Sequence, residues 1–144
     1  MTAVDTNILV YTRRQDSPHH KAAALDIKGL AEGTAPWMIP WPCIHEFLSV
    51  STNPGIFKSP TPPEIAILQV EIWMESPTLR LLTESTGYWN HLRATFLNGK
   101  LRGAQVHNAR IHAICIANGV HELWSADRDF SQMSGLIVVN PCLG

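Results

Sequence analysis

Short apolar runs alternate with longer segments of helical period along this chain. Thr2–Asp5, Trp37–Pro40, Leu79–Leu82, Glu122–Ser125 and Leu136–Val139 read as short buried strands bounded by turn-forming residues. Between them, apolar residues recur at helical spacing. Ile8–Tyr11 runs into a short helix. Ser17-Pro18 supplies a cap and a first helical position for a helix to about Leu30, stopped near Gly33. Pro42 opens a helix carrying Ile44, Phe47, Leu48 and Val50, which ends before a loop at Asn53-Pro54-Gly55. Thr61-Pro62-Pro63-Glu64 has capping-box spacing, and the helix behind it places Ile65, Leu68 and Ile72 on one stripe against Glu71 and Glu75. Ser76-Pro77 stops that helix. Trp89, Leu92 and Phe96 mark another, closed by Asn98-Gly99, and Ala104–Ala117 forms the most apolar one, closed by Asn118-Gly119. Short strands alternating with helices predict an α/β fold with a mainly parallel sheet of about five strands, covered on both faces.

Composition narrows the class. A chain of 144 residues, 45% hydrophobic and 16% charged, reads as one globular domain over 1–144. A net charge of −1 offers no global attraction for a polyanion, so any such ligand depends on local cations or bound metal. Cys43, Cys115 and Cys142 form no CxxC pair, so neither a thiolate zinc site nor a disulfide framework is indicated, and reduced thiols in a cytoplasm are the better reading. No apolar run approaches the ~20 residues that span a bilayer.

The acids change the picture most. Asp5 ends the first strand, Asp127 and Asp129 follow the strand through Trp124, and Glu46 lies on the helix after the second strand. In an open parallel sheet the functional crevice lies beyond the carboxyl ends of the strands. Carboxylates gathered there repel one another unless a hard cation bridges them, and Mg²⁺ or Mn²⁺ takes oxygen ligands. Such a site can hydrolyse a phosphodiester, which needs an in-line water and relief of charge on the phosphoryl and leaving oxygens. Asp5 and Asp127 are the direct candidates, and Glu46 is placed to orient or deprotonate a water. Asp129 either shares the pocket or caps the next turn. Thr6, Asn7 and Ser125 are suited to hydrogen-bond the acids. Each has a plainer reading: an Asx turn at Asp5-Thr6-Asn7, a solvated helix residue at Glu46, a charged loop at Asp127-Arg128-Asp129. The combination favours a site. The histidines show no zinc-ligand spacing, and the five tryptophans fit core or interface positions.

Four motifs converge on a family. Val4-Asp5-Thr6-Asn7, His45-Glu46-Phe47, Val106-His107-Asn108-Ala109-Arg110 and Trp124-Ser125-Ala126-Asp127-Arg128-Asp129-Phe130 follow one another in an order that resembles a PIN domain, in particular the VapC-type ribonuclease toxin of toxin–antitoxin pairs. The resemblance spans essentially the whole chain. It implies a three-layer α/β/α fold, an acidic pocket for Mg²⁺ or Mn²⁺, hydrolysis of RNA, and an antitoxin that blocks the pocket. One position departs: where the family carries its third acid, in a Val-His-Asp-Ala-Arg setting, this chain has Asn108. Asparagine offers a neutral oxygen but no charge, so weakened cation binding and cleavage are expected. The competing expectation is an inactive module that binds RNA or the antitoxin. Arg13, Arg14, Lys100, Arg102 and Arg110 are candidate phosphate contacts, equally readable as solvated surface. The apolar segments Ile8–Tyr11, Phe47–Val50 and Ile65–Trp73 suit either a partner helix or a homodimer.

Overall fold

The computed structural model describes residues 1–143. Five strands form an all-parallel sheet in the order β3-β2-β1-β4-β5, with β1 at Thr2–Val4, β2 at Trp37–Pro40, β3 at Leu79–Leu82, β4 at Glu122–Trp124 and β5 at Ile137–Val139. Six α-helices connect or flank them: α1 Thr6–Arg13, α2 His20–Glu32, α3 Trp41–Ser51, α4 Pro63–Met74, α5 Tyr88–Asn98 and α6 Val106–Ala117. This is the expected three-layer α/β/α arrangement. Ala3, Val4, Ile39 and Leu123 from the central strands are fully buried with Ile8, Phe47, Ile111 and Ile114 from the helices. Strand order reverses between β1 and β4, the switch point where crevices open in such sheets. Among the described residues no helix is long and apolar enough to cross a membrane.

Several element ends differ from the sequence expectation, each for a local reason. The first strand stops at Val4 because Asp5 turns its carboxylate onto the backbone N–H of Thr6 (2.7 Å) and becomes the cap of α1. Helix α2 starts at His20, since the Ser17 hydroxyl is spent on the His19 N–H in the preceding turn. Thr61 does not cap α4. Pro62 occupies the cap position and Pro63 has no N–H to offer, while the Thr61 N–H donates to the Ser51 carbonyl at 2.8 Å. At the end of α6, Gly119 takes a φ of 75°, which a side chain would disfavour.

The face of α4 is set by its neighbours. Ala66, Val70 and Trp73 are buried, whereas Ile65, Leu68 and Ile72, the stripe the sequence places together, are 37%, 50% and 49% exposed. The helix is apolar on both sides, so hydrophobic period alone does not set its phase. In the segments Ile8–Tyr11 and Phe47–Val50, Ile8, Leu9 and Phe47 lie wholly inside the core, while Tyr11, Leu48 and Val50 are half-buried. Trp37 and Trp73 are core residues, and Trp41 and Trp89 are exposed.

His112, one turn beyond Asn108 on α6, belongs to this frame rather than to the acids. Its Nδ1 lies 3.0 Å from the Thr95 hydroxyl and its Nε2 2.7 Å from the Ser134 carbonyl. A carbonyl only accepts, so Nε2 carries the proton and the threonine hydroxyl donates to Nδ1. Burial holds the imidazole below its ordinary value of 6.5, against the Ser134 hydrogen bond and with His91 adding to the shift. A depressed folded value means the unfolded chain binds the extra proton first. The stability contribution is therefore complete above the ordinary value and is lost as pH falls through the folded one. Thermal midpoints measured across this range should drop on acidification, and His112→Gln should flatten the drop; parallel profiles for the two proteins would refute the assignment.

Candidate active site

Strand register brings the acids together. Pairing of Val4 with Trp124 continues one step as the Asp5 N–H donates to the Trp124 carbonyl (2.9 Å), which sets Asp5 beside Ser125. The Ser125 hydroxyl donates to Asp5 Oδ2 at 2.7 Å and accepts the Asp127 N–H at 3.0 Å. Three successive side chains at the start of α1 then tie three elements to one another. Asp5 holds Ser125, the Thr6 hydroxyl donates to Glu46 Oε2 on α3 (2.7 Å), and Asn7 Oδ1 accepts the Ala126 N–H (3.1 Å). The N-terminal end of a helix also favours nearby negative charge.

Asp5, Glu46, Asn108 and Asp127 line one open cavity of about 360 Å³, with Thr6 and Asn7. Ser125 is buried beneath it, as Asp5's hydrogen-bond partner. Asp5 is only 4% exposed, and burial pushes its carboxyl above the usual range against the hydrogen bonds from Ser125, Thr6 and Cys43; the charge of Glu46 pushes in the same direction as burial. Cys43 lies one helical turn before Glu46, and its thiol donates to Asp5 Oδ1 at 3.6 Å. Burial, then the Asp5 carboxylate, holds that thiol well above its ordinary value, so it stays a protonated donor. The Asn108 amide donates to Asp127 Oδ2 at 2.8 Å, while Asp127 Oδ1 caps the turn that follows by accepting the Asp129 N–H (2.8 Å). Asp129 itself is exposed and lies outside the cavity lining.

The basic candidates divide. Arg14 is 8% exposed, with its guanidinium donating to Asp16 and to the Ser59 carbonyl and lying 3.9 Å from the centre of the Phe57 ring. Its donors are used inside the protein, which leaves it poorly placed for phosphate. Arg110 pairs with Glu84 at 2.6 Å but borders a smaller depression shared with Glu46, His45 and His107. Arg13 lies beside a separate shallow depression, and Lys100 and Arg102 are exposed on the loop before α6. Sequence reasoning passed over four cavity residues, Val10, Tyr11, Val50 and Phe57. Val10, Tyr11 and Val50 follow from helical spacing to Asn7 and Glu46, but Phe57 reaches the cavity from a loop, and no local pattern announces it.

The lining suits a hard cation in kind, since its ligand atoms are oxygens and the one nearby thiol is held protonated. It is poor in charge: among the described residues no three histidine, cysteine or acidic side chains gather closely enough to hold an ion by themselves. The neutral amide of Asn108 lies beside Asp127 in the same lining.

No protein-family model matches the chain. Ribonuclease VapC48 of Mycobacterium tuberculosis is 29% identical over 97% of both chains, and Ribonuclease VapC37 of the same species is 29% identical over 94% of both. Among solved structures, VapBC2 from Rickettsia felis, bound to a DNA fragment from its promoter, superposes with a TM-score of 0.66 at 19% identity over 96% of both chains. VapC20 of Mycobacterium tuberculosis, a toxin that cleaves the sarcin–ricin loop, also gives 0.66, at 15% identity over 91% of this chain and 93% of that one. Along almost its whole length the chain is similar in sequence to proteins named VapC ribonucleases, and it shares the fold of the solved VapC-type PIN-domain proteins.

Proposed function

We propose that this chain is a VapC-like toxin, a single catalytic domain hydrolysing RNA phosphodiester bonds with Mg²⁺ or Mn²⁺, and that Asn108 weakens this activity. The observation that carries the reading is the shared cavity of Asp5, Glu46, Asn108 and Asp127 at the switch point of the sheet. The curated relatives named as ribonucleases, and the solved toxin that cleaves the sarcin–ricin loop, support it. Asp5, Glu46 and Asp127 line the cavity without being close enough together to hold an ion as they stand, and would hold the cation only on drawing together around it, with Asn108 contributing its amide oxygen after a half-turn of the side chain. When bound, a divalent cation supplies charge relief at the phosphoryl and leaving oxygens. The chain's own residues orient the reactants. Thr6 fixes the Glu46 carboxylate, which leaves one of its oxygens to accept a proton from a water in the cavity. Ser125 and Thr6 hold Asp5, and Ser125 also anchors the backbone of Asp127. Arg110, beside Glu46, is the best placed of the basic residues for an adjoining phosphate.

An inactive module that binds RNA or an antitoxin is the second reading, and the Asn108–Asp127 hydrogen bond favours it. That bond satisfies Asp127 with no cation present. The partner in either case is an antitoxin protein, as in the solved VapBC complexes from Rickettsia felis and Salmonella typhimurium. The exposed apolar face of α4 is a surface for it, or for a second copy of this chain.

One experiment tests activity and partner together. The chain is purified with and without the product of its neighbouring reading frame and incubated with a structured RNA panel in Mg²⁺ or Mn²⁺. Cleavage by the chain alone, abolished in Asp127→Asn and blocked by the neighbouring product, is the expected result. RNA binding without cleavage supports the binding module. No cleavage or binding of any RNA, together with no complex with the neighbouring product, overturns both readings.

A further inference from the structure

The cavity that holds the acids has a second half of different chemistry. Val10, Tyr11, Val50 and Phe57 form an apolar and aromatic wall continuous with Asp5, Glu46 and Asp127. Both rings are backed by a neighbour. The Arg14 guanidinium lies 3.9 Å from the Phe57 centroid and is itself immobilised by Asp16 and the Ser59 carbonyl. The Tyr11 and His19 ring centroids are 4.9 Å apart. The loop carrying Phe57 is tied at its base, where the Thr61 N–H donates to the Ser51 carbonyl and Asn53 Oδ1 accepts the Gly55 N–H. Aromatic rings held in place beside an open cleft give up little freedom when a ligand stacks on them.

Resting on the ribonuclease reading, we infer that the Tyr11–Phe57 wall is a subsite for one unpaired nucleobase of the RNA, flanking the phosphate that the acids handle. Chemistry and continuity select this occupant. A phosphodiester placed among the acids carries its two bases within one nucleotide's reach, and the Tyr11 and Phe57 rings line the same cavity. Single-stranded RNA is gripped by splayed bases stacked on aromatic side chains, whereas bases within a duplex are stacked on each other. The volume, about 360 Å³ for the whole cavity, lies within the roughly 300–1,000 Å³ typical of small-ligand clefts. With no acid among those four residues, the wall adds no repulsion toward the polyanion. The subsite therefore selects for loops and unpaired segments over helices, and Phe57 acts as a positioning residue.

The test measures binding to a fluorescent RNA hairpin loop by anisotropy in EDTA, so that cleavage is not needed, and repeats it with the loop made abasic at one position at a time. Phe57→Ala should weaken binding by roughly tenfold to a hundredfold, the usual worth of one stacked base. Phe57→Trp should restore it, and Phe57→Leu, which keeps apolar bulk without a ring, should not. Removing one particular base should cost wild type as much as Phe57→Ala costs, and should cost the variant nothing more. Circular dichroism establishes that each variant is folded. If wild type binds and cuts RNA but the abasic and Phe57 losses simply add at every position, the subsite is wrong and the ribonuclease reading stands. If wild type neither binds nor cuts any RNA, the ribonuclease reading falls, and the subsite with it. If Phe57→Ala leaves RNA binding intact and instead releases the protein encoded beside this chain, the wall belongs to that partner and the inference is overturned.

Discussion

Asn108→Asp should make the stability of this protein depend on divalent cations and should raise RNA cleavage by roughly 10²–10³-fold. As the chain stands, the Asn108 amide donates to Asp127 Oδ2 at 2.8 Å. A carboxylate in its place removes the donor and sets two acids against each other. Losing the partner of a half-buried acceptor costs about 1–3 kcal/mol. In EDTA the variant should therefore melt several degrees below wild type, at about 2–4 °C per kcal/mol for chains slightly longer than this one. Mg²⁺ or Mn²⁺ should reverse that loss in the variant while shifting wild type much less, because a ligand that binds only the folded state stabilises it by mass action. The gain in rate is set by analogy with removal of one group that stabilises a transition state, about 2.7–4 kcal/mol. Adding Asp5→Asn to Asn108→Asp should abolish both the metal response and the gain. Calorimetric titration and melting with each cation decide the matter independently of activity. A variant that folds, yet responds to Mg²⁺ and Mn²⁺ no more than wild type, would remove Asn108 from the cation site.

Phe47→Ala should cost about 3–5 kcal/mol, a large share of the roughly 5–15 kcal/mol that holds a domain of this size together. The ring is wholly buried and meets Trp73 of α4 edge-on, with centroids 4.9 Å apart at 64°. It also follows Glu46 directly, so the same packing that secures α3 fixes the backbone of an acid in the cavity. Urea unfolding should show a lower midpoint at an unchanged slope. The contrast is Leu68→Ala on the outer face of α4, where half of the side chain is exposed and a change within about ±0.5 kcal/mol is expected for the isolated chain. If the two substitutions cost the same, the inward face of α4 has been misassigned.

These two substitutions probe features that differed in how far they could be read along the chain. The acids were legible because their positions are topological. Strands that are short, apolar and parallel deliver whatever follows them to one edge, so Asp5 and Asp127 meet once β1 and β4 pair. Helix α3 begins directly after β2, and Glu46 lies within its second turn. The neutral side chain at Asn108 was legible too, as a departure from the motif that the chain resembles. What Asn108 does instead was not: an amide can offer oxygen or N–H, and only the approach of Asp127 from another element selects the donor.

The sequence by itself determined the number and order of the elements, the parallel sheet, and the identity of the acids that gather at its edge, because these follow from local hydrophobic period, turn residues and chain order. The tertiary structure decided what depends on contacts between distant segments. The phase of α4 is one case, since a helix apolar on both sides buries whichever face its neighbours cover, here Ala66, Val70 and Trp73. The fate of Arg14 is another. Its charge reads as a phosphate contact until Asp16, Ser59 and Phe57 consume the guanidinium. Phe57 is the third, carried into the cavity by a loop with no period of its own. Local preference is encoded residue by residue, but burial, donor direction and the walls of a cleft are properties of surfaces that exist only after the chain has folded.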